Sequence, residues 1–446
     1  MQQRVRCLIA ATAVVASATS LAGCSAGSSN GGKELHILVG TNAQYPAQYR
    51  AWLDKLKQRF KAKTGANITF ETFASATDEQ TKIQTSVISG DGPDVYQTGT
   101  TFTPVAYATK AFHVLSDADW NKIGGRQRFI PQSLGISGPN AQHQIGVPMS
   151  VRPYGMVYNT ELFKAAGIPG PPKTWDELVA DGQKLTHPGQ GVYGAAVAYA
   201  DSYDPWKYIW ANTLQSGGRL LSDDLKRAEL NSPQTTAATN HYFDLLTKDH
   251  IVDPKAVSWK QPEALGAFGA GKAAMQPMIA PSTRPSLDGS SVKGKYAYAP
   301  MPLVPPGATS RPPNALAAGS IVSGDNLAVA SYSKHTDLAL AYINMVTSPD
   351  LQKEYSQTFG DLPSNASVAQ QLANGDSQDK AFLEAEKTSV PTSFTGAWSE
   401  VQLGLSNVVK QSLPALSKGG YDPAAVTKLL TDANQKAQAS LDRHKN

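Results

Sequence analysis

The chain has 446 residues, of which 41% are hydrophobic and 17% charged, with a formal net charge of +4 at pH 7. A chain of this length has room for about two or three domains with a sizeable core. The small net charge gives no electrostatic footprint for nucleic acid, so no nucleic-acid partner is expected. Both cysteines, Cys7 and Cys24, lie near the N-terminus, which excludes disulfides and cysteine-based metal sites from the rest of the chain.

The N-terminal segment has the pattern of a secretory signal. Two arginines precede an apolar run over residues 7–18, and small residues follow in Leu21-Ala-Gly-Cys24. This pattern predicts a signal peptide over 1–23, too short for a stable membrane span. Leu-Ala-Gly-Cys resembles the bacterial lipobox, which implies lipidation at Cys24 and a lipidated flexible tether over 24–32. An ordinary signal peptide cut elsewhere is the alternative.

Strands and helices alternate at the start of the predicted globular part. Strands are predicted at 34–40, at 67–72 and just after a turn at 90–96, with helices between them. This alternation is typical of a parallel sheet with helices on its faces, where ligands bind at the carboxyl ends of the strands. We therefore expect Tyr45, after the first strand, and Thr100 and Thr101, after the third, to lie beside a cleft. Ordinary surface positions are the alternative for each.

The stretch Gly146–Asn159 predicts a crossing between two lobes. Pro148 and Pro153 each remove a backbone donor and fix φ, which excludes a helix or the middle of a regular sheet. In an extended segment interrupted by Pro and Gly, Arg152 and Tyr154 would face the space between the lobes. A surface loop that enters a strand is the alternative.

Helical signals dominate the rest of the chain. Thr174 and Glu177 form a predicted capping box, and Ser232-Pro233 is a favoured helix start. Six prolines between residues 300 and 313 indicate a loop, and the last hundred residues have helical spacing.

A series of short motifs follows a specific order along the chain. The motifs are Gly92-Pro-Asp-Val95, Ala111–Leu115, Gly146-Val-Pro148, Val157-Tyr-Asn159, Ala166-Gly-Ile-Pro169, Thr174–Leu178, Ala267–Met275, Ser333-Lys-His335 and Phe359–Pro363. In this order they resemble the extracytoplasmic solute-binding lipoproteins of carbohydrate ABC importers, the family whose best-known relatives bind maltose and trehalose.

The resemblance implies an α/β, two-lobe periplasmic-binding-protein-like fold with hinge strands and a central ligand cleft. It places lobe 1 at 33–147 plus 280–325 and lobe 2 at 148–279 plus 326–446. The expected function is capture of a small carbohydrate by hinge closure and delivery to an ABC permease. The carbohydrate would be a sugar, an oligosaccharide, or an amino-sugar or glycerol-phosphate derivative. The protein would be a lipid-anchored monomer outside the cytoplasm, without cofactor, metal or catalytic residues.

Further ligand-binding residues follow from the resemblance. The segment that contains Asp204, Trp206 and Trp210 matches a region that lines the family's cleft, although core packing is the alternative for both tryptophans. The family sometimes uses a residue at the position of Trp398. The family carries aromatic residues at two places where this chain has none, near Ser282 and near Gly324 and Asp325. At the second place the chain has the carboxylate of Asp325 instead. These differences favour a ligand with more hydrogen-bonding groups or a cationic ligand. Those three residues complete the predicted site.

An enzyme is the competing interpretation. A carbohydrate-active lipoprotein such as a glycosidase needs two carboxylates about 5 to 10 Å apart. Local pairs such as Asp201 and Asp204 are available, but turn capping explains them better. From residue 33 onward, no Gly-x-Ser-x-Gly, zinc-protease or Walker motif is found.

Overall fold

Residues 33–202 and 204–444 are described by a computed structural model, and they form two larger β-sheets, a two-stranded sheet and surrounding helices. The predicted signal peptide over 1–23, the lipidation site Cys24 and the tether over 24–32 lie outside the described residues. Among the described residues, no helix combines the length and apolar character needed to cross a bilayer.

The strands are β1 (Glu34–Gly40), β2 (Asn67–Phe73), β3 (Val95–Gly99), β4 (Gly146–Val151), β5 (Gly155–Asn159), β6 (Tyr193–Ala195), β7 (Ala273–Ile279), β8 (Tyr296–Ala299), β9 (Ser320–Ile321), β10 (Gly324–Val329), β11 (Leu362–Pro363) and β12 (Ser389–Val390). The α-helices are α1 (Pro46–Thr64), α2 (Ala76–Ser89), α3 (Thr103–Ala108), α4 (Asp117–Ile123), α5 (Thr160–Ala165), α6 (Trp175–Leu185), α7 (Pro205–Gln215), α8 (Pro233–Thr247), α9 (Gln261–Gly269), α10 (Arg284–Asp288), α11 (Thr336–Val346), α12 (Pro349–Phe359), α13 (Ala366–Gly375), α14 (Ser377–Glu386), α15 (Trp398–Leu416) and α16 (Pro423–Arg443).

The first sheet has the strand order β11-β4-β10-β3-β1-β2 and forms the centre of lobe 1. Strand β1 pairs in parallel with β2 and β3, as the alternating pattern predicts, whereas β10 runs antiparallel to β3 and β4. Helix α1 buries one face, formed by Tyr49, Trp52, Leu56 and Phe60 at spacings of three and four residues. That face joins the core under the sheet.

The second sheet has the order β6-β7-β5-β8 and forms the centre of lobe 2. Helix α6 begins at the predicted capping box: the Thr174 hydroxyl accepts from the amide of Glu177 at 3.0 Å, and the Glu177 carboxylate accepts from the amide of Thr174 at 3.2 Å. Helices α7, α8, α15 and α16 pack together in the same core.

The chain passes between the two lobes at three places. Residues 152–154 join β4 to β5, residues 322–323 join β9 to β10, and the segment after β11 leads into α13. Strands β4 and β10 lie side by side at these crossings, where the amide of Arg152 donates to the carbonyl of Ser323 at 2.9 Å. The crossing within 146–159 is therefore residues 152–154, which include Pro153. Residues 146–151 and 155–159 are strands paired on both sides, so the expectation that the prolines exclude the middle of a sheet was wrong for β4, which contains Pro148.

The lobe boundaries expected from the sequence require correction. Strand β8 pairs with β5, which places residues 280–299 in lobe 2 and not in lobe 1. Strand β10, with α11 and α12, belongs to lobe 1, and β4 extends that lobe to residue 151. Local patterns indicate that a strand exists but not which strand it joins, because pairing depends on contacts distant in sequence.

Candidate ligand cleft

Two adjoining cavities open between the lobes where the crossings meet. The floor cavity has a volume of about 330 Å³ and is lined by the loop after β1, by Gln97 of β3 and by residues of the crossings. The outer cavity has a volume of about 720 Å³ and is lined mainly by α9, α10 and the residues before α10. Both cavities include Ala43, Gln44 and Ser282, so they form one cleft. A larger groove of about 860 Å³ beside residues 168–173 is lined by lobe 2 alone, away from the hinge.

Arg152 ties the three crossings together at the floor of the cleft. Its Nε donates to Asp361 Oδ2 at 2.8 Å, and its second terminal nitrogen donates to Asp325 Oδ2. Arg152 directly follows β4, Asp325 lies in β10, and Asp361 directly precedes β11. One guanidinium thus connects the three segments on which the lobes can move.

The electrostatics of this cluster follow from burial and charge. Burial alone would lower the pKa of Arg152, but the carboxylates of Asp325 and Asp361 raise it well above its ordinary value. Burial raises the pKa of Asp361, and the adjacent guanidinium of Arg152 partly offsets that rise. The Ser150 hydroxyl donates to Asp325 at 3.1 Å. Arg152 is therefore held in its cationic form, whereas burial makes ionisation of Asp361 costly.

Aromatic rings surround the same floor. Tyr45, Tyr49, Tyr355 and Phe359 all line the cavity. The ring of Phe359 lies 6.2 Å from that of Tyr45, 5.8 Å from that of Tyr49 and 4.8 Å from that of Tyr355, measured between centroids. The Tyr45 hydroxyl donates to the carbonyl of Ser282 at 3.4 Å, which joins lobe 1 to lobe 2 across the cleft. The floor therefore combines apolar ring surface with charged and amide groups.

The outer cavity has a polar wall from lobe 2. Tyr154 and Asp204 line it, and Lys207 lies between them. The Lys207 ammonium sits 4.0 Å from the centroid of the Tyr154 ring and pairs with the Asp204 carboxylate. The amide of Tyr154 donates to the Ser320 hydroxyl at 2.8 Å. These contacts fix the Tyr154 ring beside the crossing at residue 153.

The structure brings together half of the residues predicted for the site. Tyr45, Arg152, Tyr154, Asp204, Ser282 and Asp325 all line the cleft. Thr100 and Thr101 line neither cavity, and the buried Thr100 hydroxyl donates to the carbonyl of Val322 at 3.2 Å. Gly324 is buried between β3 and β4, where it contributes to strand packing and lines neither cavity.

The tryptophan predictions require correction. Trp206, Trp210 and Trp398 are 0%, 3% and 1% exposed, and they belong to the core of lobe 2. The Trp206 ring lies 6.4 Å from that of Trp210 and 5.8 Å from that of Trp398, in edge-on arrangements. Because packing covers these rings, none presents a face on which a sugar could stack. The core-packing alternative describes them better.

Sequence reasoning missed several residues of the floor. Asp361, Tyr49, Tyr355 and Phe359 line the cavity but were not predicted for the site. The motif Phe359–Pro363 carried the signal for Asp361 and Phe359, because it places a carboxylate and a ring just before a short strand.

Comparisons with known proteins bear on the role of this cleft. The family model of the bacterial extracellular solute-binding proteins matches residues 42–353, more than half of the chain. The chain belongs to this family. The family description places it outside the cytoplasm and gives it a binding role, so the glycosidase alternative has no support.

Relatives and solved structures agree with this assignment. The diacetylchitobiose binding protein DasA of Streptomyces coelicolor is 26% identical, covering 93% of this chain and 94% of the relative. The sugar-binding protein MalE of Xanthomonas citri has a TM-score of 0.75 at 19% identity, covering 92% of this chain and 98% of that chain. A solute-binding protein of Thermotoga lettingae, bound with α-D-tagatose, has a TM-score of 0.74 at 20% identity, covering 92% and 100%. These structural similarities establish the two-lobe fold of the solute-binding protein.

Proposed function

We propose that this solute-binding protein captures a small carbohydrate in the cleft by hinge closure and delivers it to an ABC permease. The observation that carries the proposal is the floor of the cleft, where planar charged groups and aromatic rings meet at the three crossings. A sugar has an apolar ring face and a rim of hydroxyls, which aromatic rings and bidentate polar groups complement. The similar proteins include a diacetylchitobiose binding protein and a sugar-binding protein, which supports the same ligand class.

Hinge closure is supported by the way the cleft is built. Floor residues Arg152, Asp325 and Asp361 sit on or beside the crossings, while Tyr45 and Ser282 face each other from opposite lobes. A ligand that contacts both lobes would stabilise the closed arrangement, because only that arrangement offers all of its contacts at once.

Calorimetric unfolding with a panel of sugars, amino sugars and glycerophosphodiesters tests the proposal. A ligand at about one hundred times its Kd should stabilise the protein by about 2.7 kcal/mol and raise Tm. In Tyr45→Ala the rise should shrink, because a ring at the cleft is lost, whereas Tyr193→Ala, on β6 within lobe 2 and outside both cavities, should respond like the wild type. If no panel member raises Tm at millimolar concentration, the carbohydrate assignment fails.

The proposal includes a lipid anchor at Cys24 of a monomeric protein. The signal pattern over 1–23, the lipobox-like Leu-Ala-Gly-Cys and the Gly- and Ser-rich residues 25–32 support it. Labelled palmitate should enter the wild type but not Cys24→Ala when each is expressed in a bacterium that processes lipoproteins. Equal labelling of both proteins would contradict an anchor at this cysteine.

A further inference from the structure

The floor of the cleft holds more carboxylate than its cation can satisfy. Arg152 binds one oxygen of Asp325 and one oxygen of Asp361. Asp361 lines the floor cavity and is only 4% exposed, yet its Oδ1 meets no hydrogen-bond donor in good geometry among the described residues, although the Ser150 hydroxyl lies close enough to lower the pKa of the carboxyl. A buried carboxylate oxygen without a donor is costly to maintain, so it indicates a place where a ligand supplies the donor.

Neighbouring charged side chains do not neutralise the excess of carboxylate over cation at the floor of the cleft. Among the described residues that line the floor cavity, Arg152 is the one cationic side chain. Glu79 of α2, whose side chain accepts from the amide of Gly99 at 3.3 Å, supplies no compensating positive charge, and burial raises its pKa to about 8, so it is mostly neutral at pH 6. Lys207, on the lobe 2 wall, is paired with Asp204. When ionised, the carboxylates at the floor outnumber the guanidinium.

The aromatic lining favours the same kind of ligand group. The rings of Tyr45, Tyr49, Tyr355 and Phe359 lie around the floor cavity with the two carboxylates. Ring faces attract cations through their quadrupole, most strongly where water is excluded. Tyr45 is the half-buried ring of the four, whereas Tyr49, Tyr355 and Phe359 are buried in the lobe 1 core. A protonated amine that enters this cavity would donate to the carboxylates and lie beside Tyr45. An anionic phosphate would instead meet uncompensated negative charge.

We propose that the floor cavity binds a protonated amino group and that Asp361 is the residue that selects it. The preferred ligand is therefore a basic amino sugar, and a glycerol-phosphate derivative is rejected. This inference rests on the proposed carbohydrate-binding function, which it deepens by naming the chemical class of the ligand. A neutral sugar hydroxyl can donate to Asp361 Oδ1 but adds no charge, so it should bind more weakly.

Isothermal titration at pH 6 with matched probes tests the proposal in the wild-type protein. The basic probes are glucosamine and chitobiose with free amino groups, and the neutral probes are glucose and cellobiose. The basic member of at least one pair should bind about tenfold or more tightly than its neutral partner, as expected for one added charge interaction of about 1.4 kcal/mol. This measurement does not depend on the folding of any variant.

A carboxylate variant then assigns the selection to Asp361. Asp361→Asn keeps an oxygen for Arg152 Nε but removes the charge, so the basic probe should lose about thirtyfold in affinity while the neutral probe changes little. Asp379→Asn is the matched control, because that carboxylate pairs with Arg284 away from the cleft. A uniform loss for both probes in Asp361→Asn would show a purely structural role and overturn the assignment.

The remaining outcomes separate the two proposals. If neutral probes bind as tightly as basic ones, or if only other neutral carbohydrates bind, charge selection is wrong while carbohydrate binding stands. If no carbohydrate of any kind binds, the proposed function itself is wrong.

Discussion

Gly324 lies against Ser150 of the neighbouring strand so closely that a Cβ at residue 324 would be 2.0 Å from the Ser150 carbonyl oxygen. The φ angle of Gly324 is +144°, in a region that side chains rarely adopt. This contact holds β10 against β4 where the chain crosses between the lobes. Gly324 therefore allows the close strand pairing at the hinge, and the carboxylate of the next residue, Asp325, lines the cleft.

Gly324→Ala should lower the free energy of unfolding by about 2–4 kcal/mol, because it adds a backbone clash to an unfavourable φ. Urea unfolding measures the change. Gly170→Ala is the matched control: a Cβ at that position meets open space, and its φ is not in the left-handed region. A loss in Gly324→Ala no larger than in the control would contradict the close strand contact.

Arg152→Ala should lower the free energy of unfolding by about 3 kcal/mol, because it leaves two buried carboxylates without their cation. From the sequence alone, Arg152 was expected only to face the space between the lobes. Arg59→Ala, which breaks an exposed pair with Asp350, should cost about 1 kcal/mol or less. Similar losses in the two variants by chemical denaturation would mean that Arg152 is less buried than the structure shows.

Trp398→Ala should destabilise the protein by about 3–5 kcal/mol, as expected when a fully buried ring is removed from a core. Trp259→Ala provides the comparison, because that ring is only partly buried against the same core. Thermal unfolding without ligand measures both. A Trp398→Ala protein that keeps its Tm but loses ligand binding would restore the stacking role predicted from the sequence.

Glu386→Gln should change how stability depends on pH. Burial raises the pKa of Glu386 from 4.5 to about 8, although the Ser389 hydroxyl donates to it. A carboxyl that holds its proton more tightly when folded contributes stability that is complete below about pH 4.5 and is lost as the pH rises towards 8.

The variant has no proton to lose at residue 386. Between pH 5 and 8 it should therefore gain at least about 1.4 kcal/mol relative to the wild type, the equivalent of one pKa unit. Denaturant titrations across this range measure the difference. Glu384→Gln, at an exposed position on the same helix, should show the same dependence of unfolding free energy on pH as the wild type. If the unfolding free energy of Glu386→Gln depended on pH in the same way as that of the wild type, the raised pKa of Glu386 would be contradicted.

Several features of the cleft could be predicted from local sequence because they depend on position along one element. Tyr45 follows a strand whose carboxyl end faces the cleft, and Arg152 lies between two prolines in an extended crossing. The capping box at Thr174 is equally local, because its partners are three residues apart. The signal pattern and the order of family motifs likewise need no tertiary information.

The sequence by itself determined the αβ alternation, the hinge stretch and the family, because periods of two and 3.6 residues and short motifs are properties of neighbouring residues. Only the tertiary structure decided that β8 joins β5, that Trp206, Trp210 and Trp398 are core, and that Asp361 meets Arg152 across 209 positions. A tryptophan suits a core and a sugar site equally well. Strand partners and charge partners are chosen by packing between segments distant in sequence, which local spacing does not encode.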